Sequence, residues 1–283
     1  MAGERLYVAT GYAQVIALES ATGKEIWRTG VTAPLRAGPT VAAGRVYVIS
    51  IDNQAHALDA ATGRKLWAHA GITESAGLYG SSSPAVEGNI VIATFSSGEI
   101  FALRADNGRV LWNDSLGGLL RTDAVSALAD VRGLPVVDRG QVLAVSHAGR
   151  MAAIDLRTGG RIWEQNVGSL YTPLVVGDFL FVTTPDAEVV CISRRDGRVR
   201  WVRQLERWTE PDRKRGRIVW TNPVTAGDRL FLTSSRGDAV ALAPADGQTL
   251  ASMTLSGPAV LPPVVANRTI YVLTDDGDLV ALR

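Results

Sequence analysis

Short apolar, β-branched runs alternate with polar turns from one end of the chain to the other. Arg45 to Ser50 (Arg-Val-Tyr-Val-Ile-Ser) and Leu180 to Thr183 read as strands. A polar pair such as Asp52-Asn53, Ser97-Gly98 or Asp276-Gly277 follows, the chemistry of a tight hairpin. A second strand then enters an Asp-x-x-Thr-Gly turn, where Gly supplies a positive φ and Asp and Thr bond nearby backbone amides. A third strand carries a tryptophan, whose large apolar face and single N–H suit packing between adjacent sheets. With the apolar segment ahead of each unit, for example Gly38 to Val41 or Pro84 to Val86, the pattern predicts four strands per unit.

The unit repeats. Its cleanest copy is Ala57 to Trp67, Ala-Leu-Asp-Ala-Ala-Thr-Gly-Arg-Lys-Leu-Trp, and copies begin at Ala17, Ala57, Ala102, Ala153, Cys191, Ala241 and Ala281. A glycine lies six residues into each of the first six copies, and a tryptophan ten residues in at Trp27, Trp67, Trp112, Trp163 and Trp201; the sixth copy has Ala251 there. These five tryptophans are the expected docking residues between blades. Four antiparallel strands every ~40–50 residues is a propeller blade. The expected fold is therefore an all-β propeller of four-stranded blades, seven repeats in one domain over 1–283. The blades fall at about 4–30, 31–70, 71–117, 118–167, 168–204, 205–255 and 256–283.

The two ends look cut relative to the repeat. The first copy lacks its leading strand and the last stops at Leu282-Arg283 before its outer strand, so an upstream segment with any targeting signal is expected outside this chain. Two copies carry long insertions, Ile72 to Ser83 and Leu119 to Leu134, which in repeat folds map to loops on one face. A helical turn is expected within the second, over Asp123 to Leu128.

Charge and candidate chemistry narrow the function. Net charge is +1, so no global field draws the chain to nucleic acid or an anionic membrane. No run approaches the ~18 apolar residues of a membrane span. The single cysteine, Cys191, excludes an internal disulfide and sits in a small-residue slot, as a buried core thiol does. His56, His69 and His147 show no ligand spacing, so no metal site is expected. There is no nucleophile elbow and no phosphate-binding glycine loop. Asp59 and Asp155 hold equivalent places in their repeats and read as turn formers. One stretch stands apart, Arg203 to Val219, with six Arg or Lys against three acids plus Trp208. It reads as a solvated mixed-charge loop; the alternative is an anionic-polymer site at Arg213 to Arg217 with steeply salt-dependent affinity.

The pattern Ala-x-Asp-x-x-Thr-Gly-x-x-x-Trp, intact at Ala57 to Trp67 and nearly so at Ala17 to Trp27 and Ala153 to Trp163, resembles the repeat of PQQ-like β-propellers. One branch of that family, the quinoprotein dehydrogenases, holds pyrroloquinoline quinone over the channel with adjacent cysteines, an ion and a catalytic aspartate. This chain carries neither the cysteines nor a recognisable ion cluster. It is more similar to the other branch, the BamB family of outer-membrane assembly lipoproteins, in its alphaproteobacterial form. The likeness is strongest over Gly80 to Trp112 and in Val145-Ser-His-Ala-Gly-Arg-Met-Ala-Ala-Ile-Asp-Leu-Arg-Thr-Gly.

That resemblance implies a non-enzymatic scaffold without cofactor, catalytic residue or metal. It acts at the periplasmic face of the bacterial outer membrane, bound through a lipid anchor this chain lacks. Its partners are the central barrel-assembly protein BamA and unfolded outer membrane protein clients. In the family, BamA contacts the loops that correspond to the two insertions. The resemblance places Leu78 on a contact leucine and Asp130 on a contact aspartate, with Tyr79 and Arg132 beside them. Ala76, Tyr79 and Arg132 depart from the leucine, arginine and second aspartate of better-known members. A quinone-binding or quinone-dependent enzyme is the alternative.

Overall fold

The computed structural model describes residues 3–72, 82–117 and 133–283. Two compact units divide the chain, Met1–Leu170 and Tyr171–Arg283. In the first unit the strands form four antiparallel sheets in chain order. The second sheet is typical: Thr40–Ala42, Arg45–Ser50, Gln54–Asp59 and Lys65–Ala70 pair as a meander. The third runs from Ala85–Glu87 to Val110–Ser115 and the fourth from Val136–Asp138 to Arg161–Gln165, each with four strands. The first has three, Arg5–Thr10, Gln14–Glu19 and Glu25–Gly30.

The second unit repeats the design. Its fifth sheet, from Leu174–Val176 to Val199–Gln204, and its sixth, from Val224–Ala226 to Thr249–Thr254, have four strands each. The seventh has three, Val264–Ala266, Thr269–Leu273 and Leu279–Leu282. The mixed-charge loop expected from Arg203 to Val219 is instead a hairpin. Trp208–Glu210 pairs with Arg215–Arg217 across a 3-10 turn at Pro211–Arg213. Pro211 fixes the start of the turn and Lys214 closes it in the left-handed region at φ 49°. Strands of three residues each, Trp-Thr-Glu and Arg-Gly-Arg, are too short and too polar to show an apolar alternation.

One register recurs in the first six sheets. The small residue that opens each repeat faces the tryptophan across the ladder: Ala17↔Trp27, Ala57↔Trp67, Ala102↔Trp112, Ala153↔Trp163 and Cys191↔Trp201, with Ala241↔Ala251 in the sixth sheet. Immediately after it the ladder slips at a bulge in all six. A bulge adds twist and re-aims the strand into the turn that follows. In the second and fourth sheets that turn is fixed by an aspartate. Asp59 Oδ1 accepts bonds from the Ala61 and Thr62 amides at 3.0 and 2.8 Å and from the Thr62 hydroxyl at 2.8 Å. Asp155 does the same to Arg157 and Thr158. These bonds hold both carboxyls below the usual carboxylate range, the Thr62 hydroxyl leading at Asp59 and the Thr158 amide at Asp155.

The turn of one sheet is also the seat of its predecessor's tryptophan. Trp27 Nε1 donates to Ala60 O at 3.1 Å, Trp67 to Ala105 O at 3.0 Å, Trp112 to Leu156 O at 2.8 Å and Trp201 to Pro244 O at 2.9 Å. Each ring lies flat against the turn glycine. A Cβ on Gly63 would stand 2.6 Å from Trp27, on Gly108 2.8 Å from Trp67, on Gly159 2.6 Å from Trp112 and on Gly247 2.6 Å from Trp201. Tyr7, Tyr47 and Phe181 flank Trp27, Trp67 and Trp201 with ring centroids 5.8, 5.9 and 5.8 Å apart. Losing a large buried aromatic costs about 3–5 kcal/mol, against roughly 1 for one neutral hydrogen bond. The fit of ring on glycine therefore carries most of the docking, and the N–H sets its orientation. Trp163, opposite Ala153, is buried as well.

The core fills the spaces between consecutive sheets. Val15, Ala17, Val46 and Leu58 pack between the first and second, and Ile92, Ile100, Val142 and Ile154 between the third and fourth. Cys191 belongs to the layer between the fifth and sixth, where burial pushes its thiol up to about 11. It is a packing residue.

Replacing Gly63 by Ala is expected to lower stability by about 2–4 kcal/mol, because the new methyl meets both the left-handed φ and the Trp27 ring. Gly44, at φ +73° with nothing within 4 Å of a Cβ, is the control, and its Ala variant should lose only about 1 kcal/mol. Urea unfolding of the two variants measures the difference; equal losses would show that the seat contributes nothing.

Candidate interaction surface

The expected contact residues Leu78, Tyr79, Asp130 and Arg132, and the helical turn expected over Asp123 to Leu128, lie outside the described residues. The stems that carry the two insertions are described. At the N-terminal stem of the first, the Ile72 amide donates to Glu99 Oε2 at 2.7 Å and the Ile72 carbonyl accepts from Asn53 Nδ2 at 2.7 Å. Asn53, in the hairpin of the second sheet, also accepts at Oδ1 from the Ser96 amide and hydroxyl at 3.1 and 3.0 Å. Asparagine tolerates the φ of 57° found there, and its amide has a donor and an acceptor to spend on two neighbours. One buried side chain thus ties the second sheet, the third sheet and the stem together.

The C-terminal stems of the two insertions meet. Ser82, buried at 1% exposure, donates from Oγ to Gly133 O at 3.3 Å. Ser83 Oγ reaches Gly38 O at 2.7 Å, and Thr40 Oγ1 reaches Pro84 O at 2.6 Å, which pins this junction to the inner edge of the second sheet. The second insertion leaves from Leu116, fully buried, whose amide donates to Gly98 O at 2.8 Å. Beside these stems two apolar side chains face outward, Ile72 at 62% exposure and Leu134 at 41%. Nothing in the local sequence pattern announces the Ser82–Gly133 contact, which joins residues 51 apart.

The hairpin that holds Asn53 is braced by a polar cluster. His56 is buried, with Nε2 at 3.2 Å from both the Thr32 and Ser50 hydroxyls. Ser50 bonds the Asp52 carboxylate, which also accepts from Gln54 Nε2 at 3.1 Å. Burial pushes the His56 pKa below its ordinary value, with Asp52 opposing and Lys65 assisting. The cluster holds a neutral imidazole between hydroxyls. Asp52 bonds the serine and not the ring, so it has no charge-relay geometry.

Among the described residues no group of three or more His, Cys, Asp or Glu is placed to hold a metal ion. No helix among them is long and apolar enough to cross a membrane. The described surface therefore offers braced loop stems and grooves between sheets.

Comparison with known proteins decides the family. Residues 1–203 and 206–283 match the family described as outer membrane protein assembly factor BamB. The chain belongs to the BamB family. It is 32% identical to the BamB of Salmonella typhimurium over 283 residues, all of this chain and 70% of that protein. It is 30% identical to the BamB of Escherichia coli K12 over the same span and share. The crystal structure of BamB from Moraxella catarrhalis superposes with a TM-score of 0.85 at 23% identity, covering 99% of this chain and 81% of that one. The fold is accordingly an all-β propeller, as the repeat implied. A europium-containing methanol dehydrogenase also superposes, at a TM-score of 0.72 over all of this chain and 75% of its own, but at 13% identity, which speaks for fold alone. The BamB family consists of non-enzymatic assembly factors, and the quinone-dependent alternative is set aside on that ground.

The lowered His56 pKa fixes a pH dependence. A histidine whose folded pKa lies below its unfolded value adds stability above the unfolded pKa of about 6.5 and loses it as pH falls from there through the lower folded pKa. The unfolding free energy from urea titration should fall between pH 7.5 and pH 5, by at most about 1.4 kcal/mol per pH unit from this one group. In His56→Gln the fall should be smaller; an unchanged slope would assign it to other groups.

Proposed function

We propose that this BamB-family chain is a scaffold that binds BamA at the periplasmic face of the outer membrane and assists the insertion of outer membrane protein clients. The observation that supports the reading most is the contact between the C-terminal stems of the two insertions, Ser82 Oγ on Gly133 O, on which a shared surface could be built. Binding residues are commonly carried on loops held by such a scaffold. The exposed Ile72 and Leu134 add apolar surface of the kind that anchors interfaces.

The braced stems matter energetically. A loop already positioned at its ends loses less conformational freedom on binding, so more of its contact energy appears as affinity. Asn53 and Ser82 do this work without touching the partner.

Calorimetric titration of the chain with the soluble periplasmic domains of BamA tests the reading. Saturable binding is expected, weakened about tenfold or more in the Leu78→Ala/Asp130→Ala double variant. Undiminished binding by the variant would move the interface elsewhere, and no binding by the folded chain would contradict the role.

A further inference from the structure

The grooves between consecutive sheets are built from equivalent positions, and two of them differ sharply in charge. Between the third and fourth sheets, Asp114 faces Arg161, with Arg161 Nε and Nη2 each 2.7 Å from the Asp114 carboxylate. Glu164 pairs with Arg161 and, at 3.2 Å, with Arg150. Two arginines and two acids thus neutralise one another across that groove. Paired registers identify the same four positions between the fifth and sixth sheets. Arg203 stands for Asp114, Thr249 for Arg161, Ser252 for Glu164 and Asp238 for Arg150.

There the closure is missing. Arg203 has one hydrogen-bond partner among the described residues, the Thr249 hydroxyl at 3.0 Å. The nearby acids are engaged elsewhere: Arg236 binds Asp238 at 2.8 Å and also Glu206. What opens is a cleft of about 420 Å³ between the two outer strands. Its walls are apolar at Leu205, Trp220 and Val240, all buried, and at Met253, which is 44% exposed. A guanidinium with four unused donors over an apolar wall fits a carboxylate attached to an apolar chain. The segment from Arg203 to Arg217, with six cations against three acids, gives the approach the same sign.

We propose that this cleft binds an extended, acidic peptide segment, with a carboxylate on Arg203 and a neighbouring apolar side chain against Trp220 and Met253. The segment supplies to Arg203 the carboxylate that Asp114 and Glu164 supply to Arg161 in the earlier groove. The cleft belongs to the second unit, and none of its residues is one of the insertion residues.

Fluorescence anisotropy with a labelled octapeptide alternating leucine and glutamate, and its leucine–glutamine counterpart as control, tests the proposal on the full chain. The glutamate peptide should bind saturably and the glutamine peptide at least about tenfold more weakly. Arg203→Gln, at an exposed position, should lose about tenfold. The Arg203→Asp/Thr249→Arg double variant, which recreates the Asp114–Arg161 pair, should abolish binding while keeping the thermal midpoint of the parent. Equal binding of the two peptides, wild-type affinity in Arg203→Gln, or no saturable binding by the folded chain would overturn it.

Discussion

The contact on which the structure depends is an indole lying against a glycine of the next sheet, its N–H on the carbonyl three residues before that glycine. It couples three demands in one turn. At Gly63 and Gly159 an aspartate closes the loop, the glycine supplies both a positive φ and a bare face, and the freed carbonyl receives the preceding tryptophan. Because each seat belongs to the turn of the following sheet, no sheet within a unit is set independently of its neighbour. The sixth sheet shows the converse: with Ala251 in the tryptophan place, its outer strand Thr249–Thr254 is exposed throughout.

This regular frame explains how the stems of the two insertions are held. The stems of the insertions are fixed by Asn53, Glu99, Ser82 and Thr40, and none of these bonds falls within a strand ladder. They use side chains at the ends of hairpins, the parts of each repeat free to differ. The grooves between sheets differ in the same way, with a closed charge network at Asp114 and Arg161 and an open arginine at Arg203. A fold shared at a TM-score of 0.72 with a methanol dehydrogenase leaves function to such positions.

Much of the fold was legible from residues alone, since strands, turns and the tryptophan period are local. The strand read at Arg45 to Ser50 spans those same residues, and Asp59 and Asp155 form the turns their spacing implied. What escaped the sequence is contact between repeats. The second task of Gly63 depends on Trp27, a residue of the preceding repeat, and a turn glycine with a positive φ already had a sufficient local explanation. The hairpin at Trp208–Glu210 and Arg215–Arg217 was hidden by its charged composition. Of the partner-facing residues, Leu78, Tyr79, Asp130 and Arg132 rest on resemblance, whereas the stems beside them emerge only from tertiary hydrogen bonds.

On the proposed reading, rigid sheets present the two insertions together as one binding surface. Hydrogen–deuterium exchange of the chain, free and saturated with the periplasmic domains of BamA, tests it most directly. The account predicts new protection confined to peptides spanning 72–84 and 116–134, appearing in both at the same partner concentration. Protection in one insertion without the other, or confined to the hairpin at 208–217, would contradict it.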